Sequence, residues 1–307
     1  MRPITKIHRC TAAAAITLAA IATTRPAAAQ SQARIDLSAP ADGAVIAGSL
    51  VGTWLVSSIT TEKGPWSREL FSFDEPTRGT FSRTHGIISD ALIATTILTP
   101  IVANFAIDDP DALRKLVVTG EALAVGVFLN AVAKYTVQRP RPYTYSTEPL
   151  IEKYARDRGT YSYLSFFSSH STNAFAGAVS GSLLFAYGNS DTDARAVIWG
   201  LEMAFASATA TERVRAGQHF PTDVLLGAAV GTGIGILVPR AHMRDRSAIA
   251  MQPEEWAAIG CGLVVGTTIA AALPSFHWPQ YETRTMSLHL APTFSNTGAS
   301  LTARGAF

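Results

Sequence analysis

The residues with chemistry to offer fall in three clusters. The first runs Lys134-Tyr135-Thr136-Val137-Gln138-Arg139-Pro140-Arg141-Pro142. Lys134 closes an apolar stretch, and Pro140 and Pro142 end it, because proline lacks an amide proton and clashes with the preceding turn. Lys134 and Arg141 therefore fall at a helix C-terminus and on the rigid turn beyond it, one a point charge, the other a planar fork suited to phosphate. By itself this is also the ordinary basic flank of a membrane helix. The second cluster is Phe166-Phe167-Ser168-Ser169-His170-Ser171-Thr172. Ser168 and Ser169 are N-cap residues by type. A helix N-terminus with free amides takes anions, and His170 is placed to give a proton to a group leaving such an anion. Alone, the pattern equally suits a serine-rich cap with an incidental histidine. The third is Arg213-Val214-Arg215-Ala216-Gly217-Gln218-His219-Phe220-Pro221-Thr222-Asp223. Pro221 opens the next helix, and Asp223 falls in its first turn, where a carboxylate is favourable. From there it is expected to reach back to His219, fixing one ring nitrogen and leaving the other as nucleophile or base. The bland alternative is a capping aspartate beside a turn histidine.

Taken together, the clusters supply three cations (Lys134, Arg141 and Arg213), serines at a helix start and two histidines, one with an aspartate partner. That inventory suits phosphoryl transfer through a phosphohistidine, with the cations on the equatorial oxygens. Charge neutralisation by the three cations calls for neither metal nor cofactor. No His-Glu-x-x-His, Walker or Gly-x-Ser-x-Gly pattern competes with it.

The chain resembles the type-2 phosphatidic acid phosphatase / vanadium haloperoxidase superfamily, as a bacterial exported member. Lys134-x6-Arg141-Pro142, Phe167-Ser168-Ser169-His170 and Glu212-Arg213-x5-His219-x3-Asp223 stand in the order and spacing of its three signatures. The resemblance implies an all-α bundle of the acid phosphatase/haloperoxidase type. It makes His219 the nucleophile, oriented by Asp223, and His170 the proton donor to the leaving oxygen. Lys134, Arg141, Arg213, Ser168 and the Ser169 amide would hold the phosphate. Phe167 stands where the family has proline, Ser169 where it has glycine and Glu212 where it has serine. A Cβ at Ser169 limits close approach and positive φ, Phe167 removes a rigid turn residue, and Glu212 is expected to weaken the grip of Arg213.

The elements that must position these residues are apolar. Of 307 residues 48% are hydrophobic and 16% charged, against about 25% charged in ordinary soluble domains, and the mean hydropathy is +0.19. A disordered tail is excluded, and with 23 glycines, 16 prolines and 2 cysteines so are collagenous and disulfide-dense scaffolds. A net charge of +2 gives no argument for nucleic acid. Stretches 43–61, 91–107, 116–133, 171–190, 196–211, 224–238 and 257–281 carry little or no charge and no period-2 alternation. They are expected as helices, apolar nearly all round, rich enough in Gly, Ala, Ser and Thr to pack closely. Turn-rich segments 62–85, 137–169 and 239–254 connect them. The tail alternates at Ser287-Leu288-His289-Leu290, which fits a short strand or a disordered end.

Arg2, Lys6, His8 and Arg9, an apolar run over 11–23, and Ala27 and Ala29 have the layout of a secretory leader cleaved after Ala29. Cys261 is then the one cysteine left, which rules out an intramolecular disulfide. The expected organisation is a leader over 1–29, an N-terminal segment with one apolar helix over 30–85 and a phosphatase core over 86–240. A C-terminal apolar helix region over 241–281 and a tail over 282–307 follow. Cleavage would leave the N-terminus outside. If 43–61, 91–107 and 116–133 all crossed, Lys134 would emerge inside, so 43–61 is taken as the stretch that does not cross and the site as facing outward. The leading expectation is a metal-independent, membrane-associated phosphatase of a lipid phosphate or pyrophosphate in the cell envelope, with no protein partner. A soluble exported acid phosphatase, a vanadium haloperoxidase and a helical membrane protein with a degraded site are the other readings.

Overall fold

The computed structural model describes residues 35–58, 70–245, 250–274, 287–295 and 298–306. The leader expected over 1–29 lies outside them. Its helices are α1 (Ala39–Ser57), α2 (Arg83–Ala106), α3 (Ala112–Val137), α4 (Pro149–Asp157), α5 (Ser169–Ala186), α6 (Thr192–Arg215), α7 (Pro221–His242) and α8 (Pro253–Ala272). Within the described residues each expected apolar stretch falls largely on a helix, and the helical unit is all-α as the resemblance implies. Helix α4 was not anticipated, since it lies in a segment taken for connection. It has proline at its first position and the i, i+4 pairs Lys153–Asp157 and Glu152–Arg156, signals of charge rather than of apolar periodicity.

Helix α5 is the axis of the bundle. Nearly every residue from Ser171 to Ala186 is buried, against α2, α3, α6 and α7. The approach of α7 to α5 is set by Gly227, Gly231 and Gly235, one face of α7 at every fourth residue. A Cβ at Gly227 would lie 2.8 Å from the Ser168 carbonyl oxygen, and one at Gly235 2.9 Å from that of Ala176. A larger residue would push apart the two helix starts that carry His170 and Asp223.

The outer faces are apolar as well. Leu50, Val51, Trp54 and Leu55 on α1, Ile87, Leu98 and Val102 on α2, and Val264 and Ile269 on α8 are all exposed. Among the described residues five helices are long and apolar enough to cross a membrane: α1, α2, α3 with the turn after it, α7 and α8. Exposed apolar belts of this size mark contact with lipid or protein, and the chain is membrane-associated in this sense. Helix α1 covers the stretch taken as the one that does not cross, and neither length nor composition sets it apart from the other four. It packs mainly on α3, with Gly52 against the Phe128 ring. Ile35 bridges to Met243 just past the end of α7, so α1 starts where α7 ends. The start of α7 carries the histidine cluster, so the residues before α1 lie at the opposite end of the bundle from it.

The helical unit reaches Pro274, and the described residues beyond it, 287–295 and 298–306, belong to a second unit. Within it β1 (Ser287–Ser295) and β2 (Gly298–Ala306) pair antiparallel, from Ser287 opposite Ala306 to Ser295 opposite Gly298. Of the two readings kept for the tail, the strand is the one observed.

Candidate active site

The three clusters meet at one end of the bundle. Helix α3 ends at Val137 with Gln138 in the left-handed region (φ 51°). The chain then turns through Pro140, so that Lys134 lies in the last turn and Arg141 on the segment beyond. Ser168 caps α5, accepting from the Ser171 amide at 3.3 Å, as its type implies. Pro221 opens α7, and Asp223, in its first turn, accepts from the Phe220 amide at 2.9 Å.

His219 is buried, and its partners fix its tautomer. Nδ1 lies 2.8 Å from the Ser165 carbonyl oxygen, which can only accept, so Nδ1 carries the proton. Nε2 lies 3.3 Å from Nη1 of Arg141, which can only donate, so Nε2 carries the lone pair. Burial holds the imidazole well below its ordinary pKa, and the charges of Arg141, Arg213 and Lys134 push the same way. The result is a neutral imidazole whose free pair points among cations.

The expected direct bond from Asp223 is replaced. Asp223 Oδ2 is 3.8 Å from His219 Nδ1 and accepts instead from Ser165 Oγ at 2.6 Å and the Phe220 amide. Asp223 therefore acts on His219 through Ser165, whose hydroxyl it holds and whose carbonyl holds the ring. Its other oxygen takes Arg139 Nη1 at 2.5 Å, and Arg139 Nη2 lies 2.6 Å from Asp74. Thr222 closes the group, giving its amide and hydroxyl to Asp74. Arg139, wholly buried over the Phe220 ring at 4.3 Å, thus braces the start of α7. Asp74, Arg139 and Ser165 are the residues that sequence reasoning missed here. Arg139 stood inside the first cluster, but no spacing separates a bracing arginine from a binding one.

The two arginines expected on phosphate differ. Arg141 donates to the carbonyls of Tyr161 (3.0 Å), Gln218 (2.7 Å) and Leu164 (3.1 Å), and lies 4.1 Å above the Tyr161 ring. Little of its fork remains for a bidentate grip; it contributes fixed charge and the N–H facing His219. Arg213 is buried too, yet its Nε has no hydrogen-bond partner, and Nη1 reaches Ser89 Oγ at 3.2 Å. Burial first, then the charge of Arg141, brings its pKa down to about 10. A buried guanidinium with an unused donor is the more available fork.

His170, partly exposed at the first turn of α5, has Nε2 2.7 Å from Oδ1 of Asp90 on α2. The carboxylate accepts, so Nε2 carries hydrogen and Nδ1 is the position left for a substrate. Burial lowers the His170 pKa, Arg213 adds to this, and the Asp90 hydrogen bond opposes both. Asp90 is the other missed residue; it sits 80 positions away in sequence, just before the apolar stretch 91–107, where no motif marked it.

Two departures from the family pattern prove mild. Among the described residues with side chains only Asp108 and Gln138 have positive φ, so Ser169 occupies ordinary helical backbone and its Cβ forces nothing. Glu212 does not compete for Arg213. It is fully buried, 2.6 Å from His85 Nδ1 and 3.5 Å from Arg215, while Arg213 faces Ser89 and Asp90. The third, Phe167, is buried beside Phe166, ring centroids 5.9 Å apart.

The PAP2 superfamily model matches residues 115–247, from α3 to just past α7. This segment is a PAP2 superfamily domain. It contains all three clusters, and it supports a phosphatase- or haloperoxidase-type activity. No curated protein and no solved structure matches the chain. Asp90 and Asp74 lie outside the PAP2 match yet touch or brace its histidines, so the site draws on residues from both sides of position 115.

Proposed function

We propose that the chain is a phosphatase of a lipid phosphate or pyrophosphate and works through a phosphohistidine without a metal. The observation that carries this is the state of His219: a neutral imidazole, Nδ1–H tied to Ser165, Nε2 presenting a lone pair between Arg141 and the field of Arg213 and Lys134. Nε2 attacks phosphorus and forms the N–P bond as the bond to the leaving oxygen breaks. His170 in its cationic form passes the Nδ1 proton to that oxygen, its other N–H held by Asp90. Water then attacks phosphorus, giving a proton back to His170; the N–P bond breaks and inorganic phosphate leaves. Lys134 and Arg213 hold the equatorial oxygens, with the Ser168 hydroxyl and the Ser169 amide at the start of α5, and Arg141 adds its fixed charge beside them.

Two features support a substrate with an apolar part. Exposed apolar faces surround the bundle. A cavity of about 600 Å³, lined by Phe73, Val214, Pro221, Val224, Leu225 and Leu263, opens beside the start of α7 that carries Asp223. Soluble esters would leave that surface unused. The site is proposed to face the envelope side. Because α1 starts at the opposite end of the bundle and runs beside α3, an outward site puts its start on the inner side, at odds with a leader cleaved after Ala29 and with 43–61 as the stretch that does not cross.

The test is phosphate release by purified protein in detergent, from lipid phosphates and from soluble esters, with His219→Ala alongside. The variant is expected to lose about 10⁴-fold or more, as nucleophile removal does elsewhere, and labelled substrate should leave acid-labile phosphate on the wild-type chain. Equal release by both proteins would sink the mechanism. Equal rates on lipid and soluble esters would remove the lipid from the proposal and leave the phosphatase.

A further inference from the structure

At the end of the bundle away from His219, Asp42 from the first turn of α1, Glu121 from α3 and His242 from the last turn of α7 bring ligand atoms within 4.8 Å of one another. Asp223 and His242 are separated by nineteen residues of α7, about 28 Å at the rise of an α-helix, so this cluster is no part of the phosphate site. His242 Nδ1 is 2.8 Å from the Val238 carbonyl oxygen, which can only accept. That leaves Nε2 facing two carboxylates, 3.3 Å from Asp42 Oδ1 and 3.2 Å from Glu121 Oε2. One ring nitrogen cannot aim a single hydrogen at both. Glu121 Oε2, on a side chain more than nine-tenths buried, makes no hydrogen bond despite that approach.

We propose that Asp42, Glu121 and His242 bind a divalent cation of the zinc type. Ligands at 2.0–2.1 Å from a tetrahedral zinc stand about 3.3–3.4 Å apart, close to the 3.3 and 3.2 Å that separate Nε2 from the two carboxylate oxygens. The supporting contacts are those a metal site needs. The second nitrogen of His242 is held by a backbone carbonyl, and Asp42 Oδ2 accepts from the Ser38 amide at 2.8 Å. Two carboxylates facing one imidazole leave a surplus of negative charge that a dication offsets. Asp42 is buried as well, but at 12% its side chain is the most exposed of the three, which is the side from which a water would take the fourth position. The ion ties α1, which otherwise packs mainly on α3, to the end of α7, where the Asp36 amide already donates to the His242 carbonyl at 2.9 Å. Its role is structural.

The test uses the full chain, tag removed, stripped with chelator in detergent, then loaded with zinc chloride or cobalt chloride and desalted. About one metal per chain is expected, with tetrahedral cobalt absorption and a melting temperature raised by several degrees on adding zinc. Glu121→Gln and His242→Asn should lose the metal and the shift, whereas His219→Ala should keep both. Wild-type protein that retains no metal would overturn the proposal and leave a histidine proton shared between carboxylates. So would metal that stays in Glu121→Gln and His242→Asn but is lost in His219→Ala, which would move it to the other end.

Discussion

The two ends of the bundle hold opposite surpluses of buried charge. At the end where α5 and α7 start, Lys134, Arg141 and Arg213 gather around a neutral His219, and Asp90, a carboxylate that faces Arg213, is largely exposed. The anions deeper in are already spent: Asp223 and Asp74 are shared out on Arg139. At the end where α1 starts, two carboxylates converge on a single imidazole. Buried charges are costly unless paired, so the sign of the unpaired remainder states the sign of what each end should bind. One end is built for an anion and the other for a cation.

Arg213 is where that comparison can be broken with the largest effect. Its Nε is unpartnered and its carboxylate neighbour is solvated, so Arg213→Ala should leave the fold intact. It should lower kcat/KM by about 10²–10³-fold, the scale for losing one preorganised donor to a developing negative charge. Arg141→Ala, by contrast, strips three backbone carbonyls of their donor and should lower the melting temperature as well as the rate. Phosphate-release kinetics with thermal unfolding of both variants would check this. Loss of stability without loss of rate in Arg213→Ala would make it another bracing cation.

The difference between the two arginines also marks how far the sequence could be read. Cluster spacing was enough to bring Lys134, Arg141, His170, Arg213, His219 and Asp223 to one end, because each sits at a helix terminus declared by proline, serine or a change from apolar to charged. The division of labour was not legible. Whether an arginine binds or braces depends on which carbonyls and carboxylates reach it, and those of Asp74, Leu164 and Gln218 come from turns without periodicity. Ser165 taking the place of Asp223 on His219 is a difference of about an ångström. The apolar helices were legible as helices, yet Glu121 read as a stray charge within one and Asp42 stood unmarked just before another, since nothing local says that α1, α3 and α7 meet there.

Asp90 sharpens the anion end at smaller amplitude. Burial lowers the His170 pKa below the ordinary 6.5 and the Asp90 bond raises it. The cationic form is the one that donates, so activity should fall as pH rises through that pKa, giving an acid-side optimum. His219 stays neutral further down, its pKa being well below 6.5. Asp90→Asn removes the raising partner, so the basic limb of kcat/KM should move to lower pH. At pH 7 the rate should drop about 10-fold, less than the roughly 10²–10⁴-fold that losing a general acid outright costs, and most of it should return in acid. A pH–rate profile of wild type and Asp90→Asn is the measurement. An unmoved limb would mean that Asp90 serves only to screen Arg213.

The smallest effect is expected at Ser169, and it bears on whether the anion end is a working site or a worn one. If the departures from the family pattern had cost the site its geometry, restoring glycine should recover activity by orders of magnitude. The backbone argues otherwise. Ser169 sits at the first position of α5 without positive φ, its amide is free to face an anion with or without a Cβ, and glycine there costs only about 1 kcal/mol in helix preference. Ser169→Gly should therefore change kcat/KM by less than about threefold, a barrier change below 1 kcal/mol, and lower the melting temperature slightly. A large gain would show that Cβ obstructs the phosphate, and would make the site a weakened form of the PAP2 pattern matched over 115–247 rather than one that reaches the same pocket with a different cap.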